Sequence, residues 1–231
     1  MSLIIPTVTE QTPKGERLVD LYSRLLGSRI VFLGTQVDET SANLVVAQLL
    51  HLDADAPGRD IFLYINSPGG DMTGLFAIYD TMQFLVSDVS TVCVGQACSA
   101  AAVLLAAGAA GKRFVLPNAR VLIHQPHGGA QGQSVDLERA VAEMVEMRRR
   151  MVQILAAHSG QTEARVAADI DRDYVLRGDD VVAYGLADEV ISTRAITARA
   201  VAMDALEATG AVTTVSASSL SASGVGTGAD T

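Results

Sequence analysis

Hydrophobic positions along this chain follow two periods, and the switches between them predict most of its elements. Leu18, Leu21, Tyr22, Leu25 and Leu26 recur at helical spacing, so residues 16–26 are expected to form a short amphipathic helix that stops at Gly27. Residues 29–34 make a continuous apolar run, the mark of a buried strand. A helix is expected over 41–52, where Leu44, Val45, Ala47, Leu49 and Leu50 are apolar. Residues 60–66 form a second strand, which runs directly into Ser67-Pro-Gly-Gly70. The cycle repeats with a helix over 72–86, a strand over 90–95 and a helix over 99–107. Strands alternating with helices imply crossover units and a largely parallel sheet.

Beyond Gly111 the rhythm loosens into an extended stretch at 112–116, a turn at Pro117-Asn118, a strand over 120–124 and the glycine-rich His127-Gly-Gly-Ala-Gln-Gly-Gln133. Residues 135–158 carry the longest helical pattern, with Leu137, Val141, Met144, Val145, Met147, Met151, Val152, Ile154 and Leu155 accompanied by Arg148, Arg149 and Arg150. Two readings fit it equally: a helix that projects to meet another subunit, and an ordinary core helix. Short helices over 162–168 and 179–184 and a last strand over 187–191 complete the pattern. From Thr197 the chain turns to Ala, Thr, Ser and Gly with no Lys or Pro, and this tail is expected to be mostly disordered, with helical tendency over 198–206.

Composition sharpens the picture. Of 231 residues 49% are hydrophobic but only 4% aromatic, so the apolar content is small and branched aliphatic side chains that suit close packing. The amount exceeds what a monomer of this size needs. A net charge of −9 and a pI near 4.8 oppose an electrostatic hold on nucleic acid or anionic lipid. Two cysteines, Cys93 and Cys98, make neither a disulfide framework nor a zinc site, which points to a reducing compartment. Met1-Ser-Leu-Ile-Ile-Pro6 lacks the basic and long apolar regions of a secretory signal, and the low-polarity run 97–111 is too short for a membrane span. A soluble cytoplasmic protein is expected.

Nucleophilic catalysis needs a base, and histidine is scarce here. His51 lies among acidic residues and His158 at a helix end, both ordinary settings. His124 differs, because it ends the apolar strand Val121-Leu-Ile-His124, where a scaffold presents reactive side chains to a loop. Ser99 opens an Ala-rich helix after a strand; it reads as an N-cap, or as a nucleophile where backbone amides favour negative charge. Ser67-Pro-Gly-Gly70 holds the equivalent place after the neighbouring strand and reads as a turn or as half of an oxyanion hole. An acid is available from Asp169, Asp171 or Asp173, and spacing does not choose among them. Cys98 is more simply a small buried hydrophobe than a rival nucleophile. Gly95-Gln-Ala-Cys-Ser99 is not the α/β-hydrolase elbow, and Gly108-Ala-Ala-Gly-Lys112 is not a phosphate loop, so no ATP site, cofactor or metal is expected.

Taken in order, Glu10-Gln-Thr, Gly15-Glu-Arg17, Tyr22-Ser-Arg-Leu-Leu26, Tyr64-Ile-Asn-Ser-Pro-Gly-Gly70, Ile78-Tyr-Asp-Thr-Met-Gln-Phe84, Gly95-Gln-Ala-Cys-Ser99, Leu116-Pro-Asn, Ile123-His-Gln-Pro126, Gly132-Gln133, Asp171-Arg-Asp173 and Tyr184-Gly-Leu186 resemble the proteolytic subunits of the Clp protease, the ClpP family. The resemblance implies an α/β, crotonase-like superhelix of ββα units with a projecting handle helix: an axial pore segment over 1–15, a serine peptidase domain over 16–195 and the tail over 196–231. It implies a nucleophile at Ser99, a base at His124, an acid at Asp173 and oxyanion donors at the N–H groups of Gly70 and Ala100. Gly128 and Gly129 correspond to the start of the strand that pairs with substrate, and Asp171 and Arg172 to the ring-to-ring ion-pair sensor. A docking pocket for an AAA+ unfoldase of the ClpX, ClpC or ClpA type maps to Leu50, Phe62, Tyr64, Phe84, Val92, Val94, Phe114 and Ile191. Residues 4–11 correspond to the gated pore, and residues 135–158 to the handle.

The implied activity is that of a serine endopeptidase degrading unfolded proteins inside two stacked heptameric rings. ATP is consumed by the unfoldase and not by this chain. Ala100-Ala101, where many members have Met-Gly, resembles the second ClpP type of organisms with several paralogues, notably actinobacteria, which suggests mixed rings with a sister subunit. The alternatives are a catalytically silent ring subunit and, more remotely, a crotonase-fold acyl-CoA enzyme.

Overall fold

The computed structural model describes residues 6–12 and 15–191. The expected tail, residues 1–5 and 13–14 of the expected pore segment and residues 192–195 of the expected peptidase domain lie outside them. In chain order the elements are β1 (Thr7–Thr12), β2 (Gly15–Asp20), α1 (Leu21–Leu26), β3 (Ile30–Leu33), α2 (Glu39–Asp55), β4 (Ile61–Ser67), α3 (Met72–Phe84) and β5 (Val89–Cys98). There follow α4 (Ala100–Ala106), β6 (Arg113–Val115), β7 (Arg120–Ile123), α5 (Ser134–Ser159), α6 (Glu163–Asp169), β8 (Tyr174–Arg177), α7 (Asp179–Tyr184) and β9 (Glu189–Val190).

The first expected helix is only half right. Residues 16–20 belong to β2, which pairs antiparallel with β1 in a separate hairpin, and the helix begins at Leu21. Asp20 sets that boundary: its carboxylate accepts the Ser23 N–H at 3.0 Å, an N-cap bond that stops the helix from extending backwards.

The larger sheet is parallel in the order β3, β4, β5, β6, β9, and the crossover helices follow from that direction. β5 is longer than expected because it continues through Gly95, whose φ of +136° bends the strand without ending it. Residues 91–93 pair with β6, and residues 96–98 pair with β7 on the same edge. β8 then adds antiparallel to β7.

One face of the sheet is core. Ile61, Leu63 and Ile65 of β4 are fully buried, while Phe62 and Tyr64, pointing the other way, are partly exposed. Every residue of α4 is buried, and its alanines bring the helix backbone close to the strands, which explains a core built from small aliphatic residues. The long helix is not an ordinary core helix. Of its 26 residues only Met151, Val152 and Leu155 are buried, and Val135, Val141 and Val145 stand exposed on the earlier turns. Two arginines of its basic cluster are answered within the helix, where Arg149 and Arg150 both donate to Glu146, whose carboxyl is held down at about 2 by those bonds, while Arg148 donates to the Ala167 carbonyl of α6.

Arg113, 8% exposed at the start of β6, gathers the far end of the core. Its guanidinium donates to the carbonyls of Ala106, His158 and Gly185 and pairs with the Asp188 carboxylate at 2.6 and 3.0 Å. Burial alone would raise the Asp188 pKa, but the hydrogen bonds and charge of Arg113 outweigh it and leave the carboxyl below its ordinary value. A depressed folded-state pKa stabilises above the unfolded value of about 3.9 and is lost as pH falls through the folded one. Asp188→Asn should therefore cost about 1–3 kcal/mol at pH 7, and the gap in Tm between variant and wild type should narrow as thermal unfolding is followed from pH 6 toward pH 3.

Candidate active site

Parallel pairing places the two key strand ends side by side. Cys98 of β5 is level with Leu122 of β7, and the Ser99 N–H donates to the Leu122 carbonyl at 2.7 Å, so Ser99 leaves β5 one step short of where His124 leaves β7. The turn into α4 holds Ser99 at φ 56°, ψ −122°, a conformation that non-glycine residues rarely adopt. Although it stands at the N-cap position, its hydroxyl makes no capping bond. The hydroxyl is thus unused by the helix that its residue begins.

Antiparallel pairing supplies the third member. Ile123 of β7 faces Tyr174 of β8, and the same register carried one residue further sets His124 opposite Asp173. The His124 Nδ1–H donates to the Asp173 carboxylate at 3.0 Å, which fixes the tautomer with the lone pair on Nε2. Nε2 is buried and has no hydrogen-bond partner. Unpaired in the free subunit, it is the one atom here that can accept a proton from a neighbouring hydroxyl. Asp169 and Asp171 are otherwise engaged. Asp169 accepts the Tyr184 hydroxyl at 2.9 Å, and Asp171 receives the Gln125 side-chain amide on its carbonyl at 3.0 Å and lies beside Arg172.

Ser99 and His124 line one cleft of about 560 Å³ together with Gln36, Val37, Asp38, residues 68–72, Pro126 and His127. The Ser67-Pro-Gly-Gly70 loop forms its opposite wall. Val37 N–H donates to the Gly69 carbonyl and Asp71 N–H to the Val37 carbonyl, both at 2.8 Å, and the buried Ser67 hydroxyl accepts the Gly69 N–H at 3.1 Å. This loop packs so tightly that a Cβ on Gly69 would strike the Cys98 carbonyl and a Cβ on Gly70 the Val37 carbonyl. The N–H groups of Gly70 and Ala100 have no backbone acceptor among the described residues. Asp38 and Asp71 reach the cleft as N-caps of α2 and α3, accepting from Ser41 and Gly74.

Other expected positions fall as follows. Cys98 is 7% exposed and burial raises its pKa, so it is a core thiol. Gly128 and Gly129 are exposed and lie in no strand. Tyr64, Val92 and Phe114 align in one row across β4, β5 and β6 on the face away from the core, with Phe62 and Val94 on the same strands. Val92 and Ile191 are buried yet stand outside the main core cluster, while Leu50 and Phe84 are 44% and 81% exposed. Local pattern missed His127, whose ring lies edge-on to His124 with centroids 5.4 Å apart. The spacing His-Gln-Pro-His was its only signal, and the glycines after it had marked that segment as loop.

Among the described residues no helix is long and apolar enough to cross a membrane. The Clp protease family model matches residues 13–194, well over half of the chain. The chain belongs to the Clp protease family. That membership accords with the mixed α/β fold and its parallel sheet, and it makes the chain a ClpP-type peptidase in kind. Because the Ser67–Gly70 loop tolerates no side chain against Cys98, Gly69→Ala, at φ +86°, should destabilise the subunit by about 2 kcal/mol or more, read as a lower Tm in thermal unfolding.

Proposed function

We propose that this chain is a serine endopeptidase subunit in which Ser99, His124 and Asp173 form the catalytic triad. The supporting observation is the Asp173–His124 bond at 3.0 Å, which leaves the lone pair on Nε2 of a residue that lines the same cleft as Ser99. In the proposed reaction Nε2 takes the Ser99 proton as Oγ attacks the scissile carbonyl, and Asp173 steadies the imidazolium. The oxyanion receives the N–H groups of Gly70 and Ala100. His124 then passes its proton to the departing amine, and a water activated by the same nitrogen releases the acyl group from Ser99.

The family supports assembly into stacked heptameric rings fed by an AAA+ unfoldase, which would supply all nucleotide energy. The row through Tyr64, Val92 and Phe114, with Phe62, Val94, Leu50, Phe84 and Ile191, is the proposed docking pocket. The exposed stripe of α5 is the proposed handle contact, and Asp171 and Arg172 the proposed ring-to-ring pair. A cytoplasmic location and a sister ClpP subunit fit this reading. The unpaired Nε2 favours a second reading, in which the subunit stays silent until a mixed ring aligns it.

A fluorophosphonate probe decides between them. Wild type should be labelled covalently and Ser99→Ala should not, as followed by intact-protein mass; labelling of the alanine variant would reject the nucleophile. Asp173→Asn should lower kcat for a short fluorogenic peptide about 10²–10⁴-fold. A wild-type chain labelled only in the presence of a sister subunit identifies the mixed-ring case.

A further inference from the structure

The bond from Nδ1 to Asp173 does not by itself fix the plane of the His124 ring. Torsion about the Cβ–Cγ bond of a histidine is soft, with no sharp rotamer to hold it. The carboxylate that accepts the bond belongs to a side chain 67% exposed, on the turn between α6 and β8. The ring can therefore tilt about this single bond and carry Nε2 with it. A second contact is present at His127, whose ring stands edge-on to His124 at 71° with centroids 5.4 Å apart, the geometry of an attractive T-shaped pair. We propose that His127 is a positioning residue for the triad, its ring bracing the plane of the His124 imidazole while Asp173 holds one nitrogen. The bracing is independent of the peptidase reading, and its effect on catalysis rests on that reading.

Although His127 is exposed, the backbone that carries it is anchored on both sides. Before it, the Gln125 N–H donates to the Ile170 carbonyl at 2.7 Å and the Gln125 side-chain amide to the Asp171 carbonyl at 3.0 Å. Pro126 then restricts the backbone between the two histidines through its fixed φ. After it, Gly128 lies so close to α5 that a Cβ there would come within 3.2 Å of the Met144 Cε. Because Gln125 is tied to residues 170 and 171, the same bonds that hold the acid turn also hold the second imidazole. Both contacts to His124 thus share one frame. Among the described residues His127 makes no hydrogen bond, and its ring contact is with His124, so no polar partner draws the ring away.

His127 also lines the cleft with Ser99, which makes direct contact with substrate the competing role. The two roles separate kinetically. A brace acts where the Ser99 proton passes to Nε2, because misplacement of a base lowers the rate of the step it serves. It therefore affects kcat, and equally the reaction of Ser99 with a fluorophosphonate, which involves no peptide recognition. A substrate contact affects KM.

The test compares full-length wild type with His127→Leu, which keeps bulk without a ring, and His127→Phe, which keeps a ring without its nitrogens. In His127→Leu, kcat for a short fluorogenic peptide and the rate of fluorophosphonate labelling should both fall about two- to tenfold with KM unchanged. His127→Phe should restore both to within about twofold of wild type. With histidine isotopically labelled at Cε1, the His124 resonance, assigned by its loss in His124→Gln, should be single in wild type and in His127→Phe and broadened or split in His127→Leu. A KM that rises in His127→Leu at constant kcat makes His127 a substrate contact and overturns the proposal. So does a loss in His127→Phe as large as in His127→Leu. A His124 resonance unchanged in His127→Leu overturns the bracing itself. A wild type that neither hydrolyses nor labels counts against the peptidase reading, and the resonance comparison then decides whether His127 braces the ring.

Discussion

The site depends on one strand keeping two neighbours on a single edge. β5 lies beside β6 at residues 91–93 and beside β7 at 96–98, and the bend between them is at Gly95. On its other edge the register against β4 slips between Ile65 and Ser67, so that Ser67 stands level with Ala97. Both shifts have one consequence. They carry the end of β5 away from the main sheet, where it would be covered, and bring it next to the Ser67–Gly70 loop on one side and β7 on the other. A Cβ at Gly95 would press on the Asn66 side chain, so the bend and the β4 loop are coupled sterically. Had β5 run straight and paired with β6 throughout, Ser99 and His124 would have no shared edge.

How far the sequence discloses this arrangement varies with the range of the interaction involved. The β–α alternation is written in local apolar periodicity, and α2, α3, α4 and α7 fall close to their expected positions. Residues 16–20 misled because Leu18 fits a helical stripe, whereas pairing with β1 and the Asp20 cap outweigh a propensity worth only tenths of a kcal/mol per residue. Gly95 read as the end of a strand that it only bends. Among the site residues, Ser99, His124 and the Ser67–Gly70 loop are visible as strand-end positions. Asp173 is not separable from Asp169 and Asp171 until the β7–β8 register is known, because that pairing joins segments some fifty residues apart in sequence, 49 between His124 and Asp173. Arg113 is equally silent, since its partners, the Asp188 carboxylate and the carbonyls of Ala106 in α4, His158 in α5 and Gly185 just after α7, are scattered along the chain.

The excess of aliphatic residues now has a location. Small side chains fill the space around α4, where larger ones would force the helix off the sheet. The remainder is not in the core. Phe84 and Val86 at the end of α3, Val141 and Val145 on α5, and Leu18 in β2 are exposed by 60% or more. In an isolated chain these groups contribute nothing to folding and favour association. The apolar count that is too high for a monomer suits a subunit with several contacts.

Electrostatics bear on the proposed triad as well. His124 is held at a strand end with its side chain 21% exposed, but the Asp173 side chain is 67% exposed. A carboxylate open to water interacts with an imidazolium through a high effective dielectric, so in the proposed reaction Asp173 in the free subunit would stabilise a charge on His124 only weakly. Covering the turn at 171–173 by another subunit would lower that dielectric without moving either residue, and the same 3.0 Å bond would then support proton transfer more strongly. Arg172, 86% exposed beside Asp171, offers such a covering surface a charge to pair with. In the proposed peptidase, the strands determine where the catalytic groups stand, and the solvent around the acid turn determines how strongly they act on one another.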